Sequence, residues 1–118
     1  MPQVLKMSYD LEERTALFGE NVIVFVAKLP RNEVTRPLIT QLIKAATSVG
    51  ANYCEADDAE SKKDFKHKIG ICKKEARETK HFLRMIAKAI PIHIIEIRKL
   101  WQEAKELNLI LNAIYKKV

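Results

Sequence analysis

The sequence predicts an all-α fold, an antiparallel up-down-up-down four-helix bundle, and three observations lead there. Apolar residues recur at alternating three- and four-residue spacings in four long stretches. The links between stretches are only a few residues long, which makes successive helices run in opposite directions. Gly and Pro number only three and four in 118 residues, too few for a turn-rich β architecture. Residues 1–118 read as one domain whose single core covers most of the apolar surface. A hydrophobic content of 47% excludes a disordered chain.

The first stripe is Leu11, Thr15, Phe18, Val22, Phe25 and Leu29, with Pro30 as its stop. Asp10 is the expected N-cap, and Glu12 and Glu13 suit the positive end of the helix dipole. The second helix is expected from Thr35, as cap, with Pro37 in the first turn, where a missing N–H costs nothing. Its stripe is Ile39, Leu42, Ala46, Val49, Tyr53 and Ala56. Gly50 sits mid-helix at a cost of about 1 kcal/mol relative to Ala, a cost usually tolerated where another backbone comes close.

Ser61, three residues before Asp64, marks the start of the third helix as a variant capping box. Its stripe is Phe65, Ile69, Cys72, Ala76, Thr79, Leu83, Ile86 and Ile90, and Pro91 ends it. The fourth helix is expected from about Ile92 nearly to the C-terminus, on Ile97, Leu100, Ala104, Leu107, Leu111 and Ile114. Near-heptad stripes of this kind favour crossing angles of about 20°.

Charge is distributed unevenly. The net charge of +6 breaks down to −1 for residues 1–30, −2 for 31–60, +7 for 61–90 and +2 for 91–118. The third helix therefore supplies the excess. At 100° per residue, with Phe65 at zero, Lys62, Lys66, Lys73, Arg77, Lys80 and Arg84 fall between about 60° and 120°. Lys63, Lys74 and Lys88 continue out to about 180°, and only Lys68 breaks the sorting. Asp64, Glu75 and Glu78 take the other flank. Such a stripe, roughly 35 Å long, suits a phosphate backbone bound through counterion release. A solvated face, or one paired with acids on an adjacent helix, fits the same pattern. No exposed aromatic residues are interleaved along it, so base stacking on a single strand is not indicated.

On the acidic flank Ile71, Phe82 and Met85 lie outside the core stripe, and an apolar group there points to a protein–protein contact, here self-association. A broad core face is the plainer alternative.

Other chemistries find little support. No apolar run reaches the roughly 20 residues of a membrane span, and Met1–Lys6 lacks the features of a signal peptide, so a cytoplasmic location is expected. Cys54 and Cys72 are expected to be reduced thiols packed as small hydrophobes. Glu78-Thr79-Lys80-His81 has the Glu-x-x-His spacing of di-iron bundles, but it faces away from the core and has no second copy. His67 and His93 lack metal-ligand spacing. Glu55, Asp57 and Asp58 form an acidic knot that reads as a solvated helix end compensated by Lys62 and Lys63, with metal binding the minor alternative. With no phosphate loop and no nucleophile elbow, the chain reads as a non-enzyme with no cofactor, metal or small-molecule substrate.

The run Gln41-Leu42-Ile43-Lys44-Ala45-Ala46-Thr47-Ser48-Val49-Gly50-Ala51-Asn52-Tyr53-Cys54-Glu55-Ala56 is specific enough to mark a family. With Lys68-Ile69-Gly70-Ile71, Lys74-Glu75-Ala76-Arg77-Glu78-Thr79 and Leu11-Glu12-Glu13-Arg14-Thr15, it resembles the bacterial four-helix-bundle proteins encoded in intervening sequences of 23S ribosomal RNA genes. The likeness covers nearly the whole chain. It departs at His81-Phe82, where the family usually carries an aromatic pair, which leaves Phe82 as the anchor. The resemblance implies a left-handed bundle assembled into a ring-like homopentamer. It also implies a partner in RNA or DNA or, alternatively, a role as an accessory subunit, for example to a reverse transcriptase, without direct nucleic-acid contact. No catalytic residues carry over. The motif residues Asn52, Glu55, Glu75 and Glu78 are read as helix-to-helix or subunit-to-subunit hydrogen-bonding groups.

Overall fold

The computed structural model describes the backbone of residues 3–118 and the side chains of residues 11–118. Four α-helices follow one another: α1 (Gln3–Val26), α2 (Thr35–Asp57), α3 (Lys62–Ala89) and α4 (Ile94–Lys117). A single 3-10 turn, Pro91–His93, leads into α4, and no strand occurs among the described residues. The bundle measures 45 × 25 × 20 Å.

Local chemistry accounts for most of the boundaries. The Ser61 hydroxyl accepts from the backbone N–H of Asp64 at 3.0 Å, the expected cap of α3. Ile90, ahead of Pro91, takes the extended φ of −137° that proline imposes on its neighbour, and α3 ends one residue earlier. Two expectations shift. Asp10 lies inside α1, which already runs from Gln3, so it is no cap. α1 also stops at Val26, four residues before Pro30, where Lys28 and Leu29 turn back onto the carbonyls of Phe25 and Val26.

At α2 the capping work moves upstream. Thr35 is the first helical residue, and its hydroxyl donates to the Pro30 carbonyl at 2.6 Å. The Asn32 side-chain oxygen accepts from the N–H groups of Val34 and Thr35, both at 2.9 Å. An asparagine turn therefore satisfies the orphan donors that a threonine cap was expected to meet.

The core forms where the stripes predict it. Phe18, Val22, Leu42, Val49, Ile69, Leu83, Ile86, Leu107 and Leu111 are buried, each worth about 1.5–3 kcal/mol relative to exposure. Phe65, Leu100 and Ile114 prove only half-buried, at its edge. α2 packs against both α1 and α3, α3 against α4, and, among the described residues, α1 more sparsely against α4. Gly50 permits the close α1–α2 approach: a Cβ there would stand 3.3 Å from the carbonyl carbon and oxygen of Thr15. At the sparser α1–α4 seam, Arg14 bonds Glu103 through two nitrogens at 2.7 and 2.8 Å and reaches Glu106 at 3.0 Å. The two carboxylates hold the Arg14 guanidinium firmly charged.

Candidate nucleic-acid interface

Lys66, Lys73 and Lys80 recur every seven residues, which on a helix returns each to nearly the same face. That face of α3 borders α4, and α4 meets it with two aromatic rings. The Lys66 ammonium stands 4.8 Å and the Lys73 ammonium 4.1 Å from the centroid of Tyr115. Lys80 lies 5.6 Å from the Trp101 ring, which Lys105 approaches at 5.8 Å. These are cation–π distances.

Two asparagines one turn apart on α4 fix the register. Asn112 Oδ1 accepts from Lys73 Nζ at 3.2 Å, and the Asn108 amide donates to the Lys73 carbonyl at 2.8 Å. Gly70 makes room for the aromatic ring: a Cβ there would sit 3.2 Å from Cε2 of Tyr115. Lys62, Arg77 and Arg84 are exposed on the solvent side of the same row. Together these groups form a strip of positive charge along the α3–α4 seam.

Lys68, the one misplaced lysine, has its own explanation. It points toward α2 and pairs with Glu55 at 3.5 Å, across the helix boundary. Within the acidic knot, Glu55 thus takes Lys68 as a partner. Among the described residues no group of three or more His, Cys, Asp or Glu side chains is arranged to hold a metal ion.

The other flank of α3 carries Ile71, Phe82 and Met85, all half-buried, with Phe82 packed against the core edge and edge-on to His81 at 5.2 Å. Glu75 and Glu78 stand beside them. Partial burial, and then the Glu78 charge, raise the Glu75 carboxyl above its ordinary pKa. Asn52 donates to the Ser48 carbonyl at 2.8 Å, a bond inside α2. The thiols differ from each other. Cys72 is buried and pushed up to about 12 by desolvation, whereas Cys54 is exposed, contrary to its expected burial. It lines a groove of about 340 Å³ between α1 and α2, edged by Glu12, Glu13 and Glu20.

Sequence reasoning missed the contribution of α4 to the basic strip. Tyr115, Trp101, Asn108 and Asn112 acquire their roles only through the α3–α4 register, so a stripe read on α3 alone appears free of aromatics. It also missed the apolar outer side of α1, where Leu17 and Val24 are 54% and 66% exposed. A signal existed: Ile23-Val24-Phe25-Val26 are consecutive, and four consecutive helical residues cannot all face one core.

The family described as 23S rRNA-intervening sequence protein matches residues 8–113, nearly the whole chain. The chain belongs to this family. Among solved structures, a Bacteroides thetaiotaomicron protein of unknown function from the S23 ribosomal protein family is similar at 25% identity and a TM-score of 0.79. The likeness covers 90% of this chain and 98% of that one. No curated protein matches. In this member of the 23S rRNA-intervening sequence proteins, Gly50 of the α2 motif lies against Thr15 of α1, and Gly70 of the α3 motif seats Tyr115. Among the described residues, no helix is long and apolar enough to cross a membrane.

Proposed function

We propose that this chain is a non-enzymatic, homo-oligomeric bundle protein that binds structured RNA or DNA along the α3–α4 basic strip. The observation that carries this reading is the alignment of Lys66, Lys73 and Lys80 over Tyr115 and Trp101, flanked by exposed Lys62, Arg77 and Arg84. Neutralising several phosphates with such a row gives strong, salt-sensitive and weakly sequence-specific affinity. The rings and asparagines hold the row in place, which a merely solvated face does not require.

An up-down-up-down course is supported by the helix registers. As α1 advances from Thr15 to Gly19, its α2 partner recedes from Gly50 to Thr47. As α3 advances from Gly70 through Lys73 to Lys80, its α4 partner recedes from Tyr115 through Asn112 to Trp101. A left-handed bundle in a ring of five copies is the assembly that family membership favours, with Ile71, Phe82 and Met85 as the contact surface. Repeating the strip around a ring multiplies avidity.

Titration of labelled RNA and duplex DNA at several salt concentrations tests binding. Affinity that falls steeply with salt supports the reading; no binding at low salt contradicts it and leaves an acidic protein surface as the partner of the strip. Sedimentation tests assembly: the wild type is expected as an oligomer and Phe82→Glu as a smaller species, and a wild-type monomer indifferent to that change would rule the contact out.

A further inference from the structure

Building on the nucleic-acid reading above, we infer that Tyr115 and Trp101 hold the α3 lysines ready for the phosphates of a double helix and do not stack bases. The neighbours that the structure gives Lys66, Lys73 and Lys80 are rings and one amide oxygen. Each ring carries two cations, Lys66 and Lys73 at Tyr115, Lys80 and Lys105 at Trp101. Crowding two like charges at one ring leaves a local excess of positive potential, and a phosphate oxyanion placed between them relieves it.

An ammonium group has three N–H donors, and a ring engages only one side of it. Apart from the one that Lys73 gives to Asn112 Oδ1, the remaining donors can serve a ligand. Lysine loses much rotamer freedom when it is fixed, and here the rings impose that loss before binding. Gly70 and Asn108 complete the device: the first seats the Tyr115 ring, and the second ties α4 to the Lys73 carbonyl.

A single strand is the poorer match. Sequence-tolerant single-strand binding relies on bases stacking on free aromatic faces. Both rings here are half-buried, and ammonium groups occupy the approach. From Lys66 to Lys80 the row spans about 21 Å at 1.5 Å per residue. A rigid row of charges suits a duplex, whose phosphates hold fixed positions, better than a flexible strand denied its stacking.

The test uses a labelled RNA duplex, a DNA duplex and the unpaired RNA strand, followed by anisotropy and by the emission of Trp101, the sole tryptophan. At least one duplex is expected to bind more tightly than the strand, with Trp101 emission unquenched. Tyr115→Phe is expected to bind as wild type and Tyr115→Leu about fivefold more weakly, the scale of the lost cation–π contacts. Tight single-strand binding with quenched Trp101 emission overturns the inference, and this readout needs no variant. Duplex binding unaffected in a helical Tyr115→Leu also overturns it while leaving the nucleic-acid reading intact. Binding by none of the three ligands removes both.

Discussion

The Tyr115 ring lies against Gly70, with Cε2 3.2 Å from where a Cβ at position 70 would stand. Gly50 faces something stiffer, the backbone of Thr15 at 3.3 Å. Two mid-helix glycines thus carry the same cost in helix propensity for different reasons, and substitution separates them.

Gly50→Ala is expected to destabilise the protein by about 1–3 kcal/mol, because neither backbone can yield without shifting a helix. Gly70→Ala is expected to be neutral or stabilising by up to about 1 kcal/mol, because alanine improves the helix and the terminal ring can move aside. Urea melts of the two variants compare them directly. A more stable Gly50→Ala would show that α1 and α2 are not held at contact distance.

Arg14 is the clasp between α1 and α4. Its paired hydrogen bonds to Glu103 are only partly shielded from water, so the pair is expected to couple by about 0.5–1 kcal/mol in a double-mutant cycle of Arg14→Met and Glu103→Gln. A coupling near zero would mean that the Arg14–Glu103 pair adds nothing to the stability of the α1–α4 seam.

Glu75 and Glu96 are expected to drive stability in opposite directions with pH. The folded state raises the Glu75 pKa, chiefly by burial, so it binds more protons than the unfolded chain just above the normal carboxylate range. Stability from this group falls as pH rises through that window. Glu75→Gln should therefore gain on wild type at neutral pH and lose that advantage in acid. Glu96, held low mainly by its hydrogen bond to Lys28, contributes stability above the ordinary carboxylate pKa that is lost as pH falls through its folded value. Thermal melts of Glu75→Gln and Glu96→Gln across acidic and neutral pH check both signs.

One thiol is expected to react with a disulfide reagent in the native protein and two after denaturation. Cys54 is exposed, while Cys72 is buried with its thiol pKa pushed up to about 12. Two fast native thiols would mean that α3 opens far more readily than its packing implies.

What could be read in the sequence followed from rules that act within one helix. The Ser61 cap, the Pro91 stop and the stripes from Leu11 to Leu111 follow from local pattern, and they appear in the structure with only Phe65 and Leu100 shifted to the core edge. Features set by neighbouring helices were not legible. Lys68 seemed an exception until Glu55 of α2 stood opposite it. Tyr115 seemed unconnected to the basic stripe until the α3–α4 register placed it beneath Lys66 and Lys73. Cys54 is one residue beyond the buried Tyr53, and that 100° turn takes it from the core to the surface.

The most direct test of the basic strip is the salt dependence of duplex binding by the wild type and by Lys66→Gln, Lys73→Gln and Lys80→Gln. If these lysines meet phosphates, log affinity falls linearly with log salt, and each substitution reduces the slope by about 0.9. Slopes unchanged by all three substitutions, or no duplex binding even at low salt, would contradict a nucleic-acid role for the α3–α4 face.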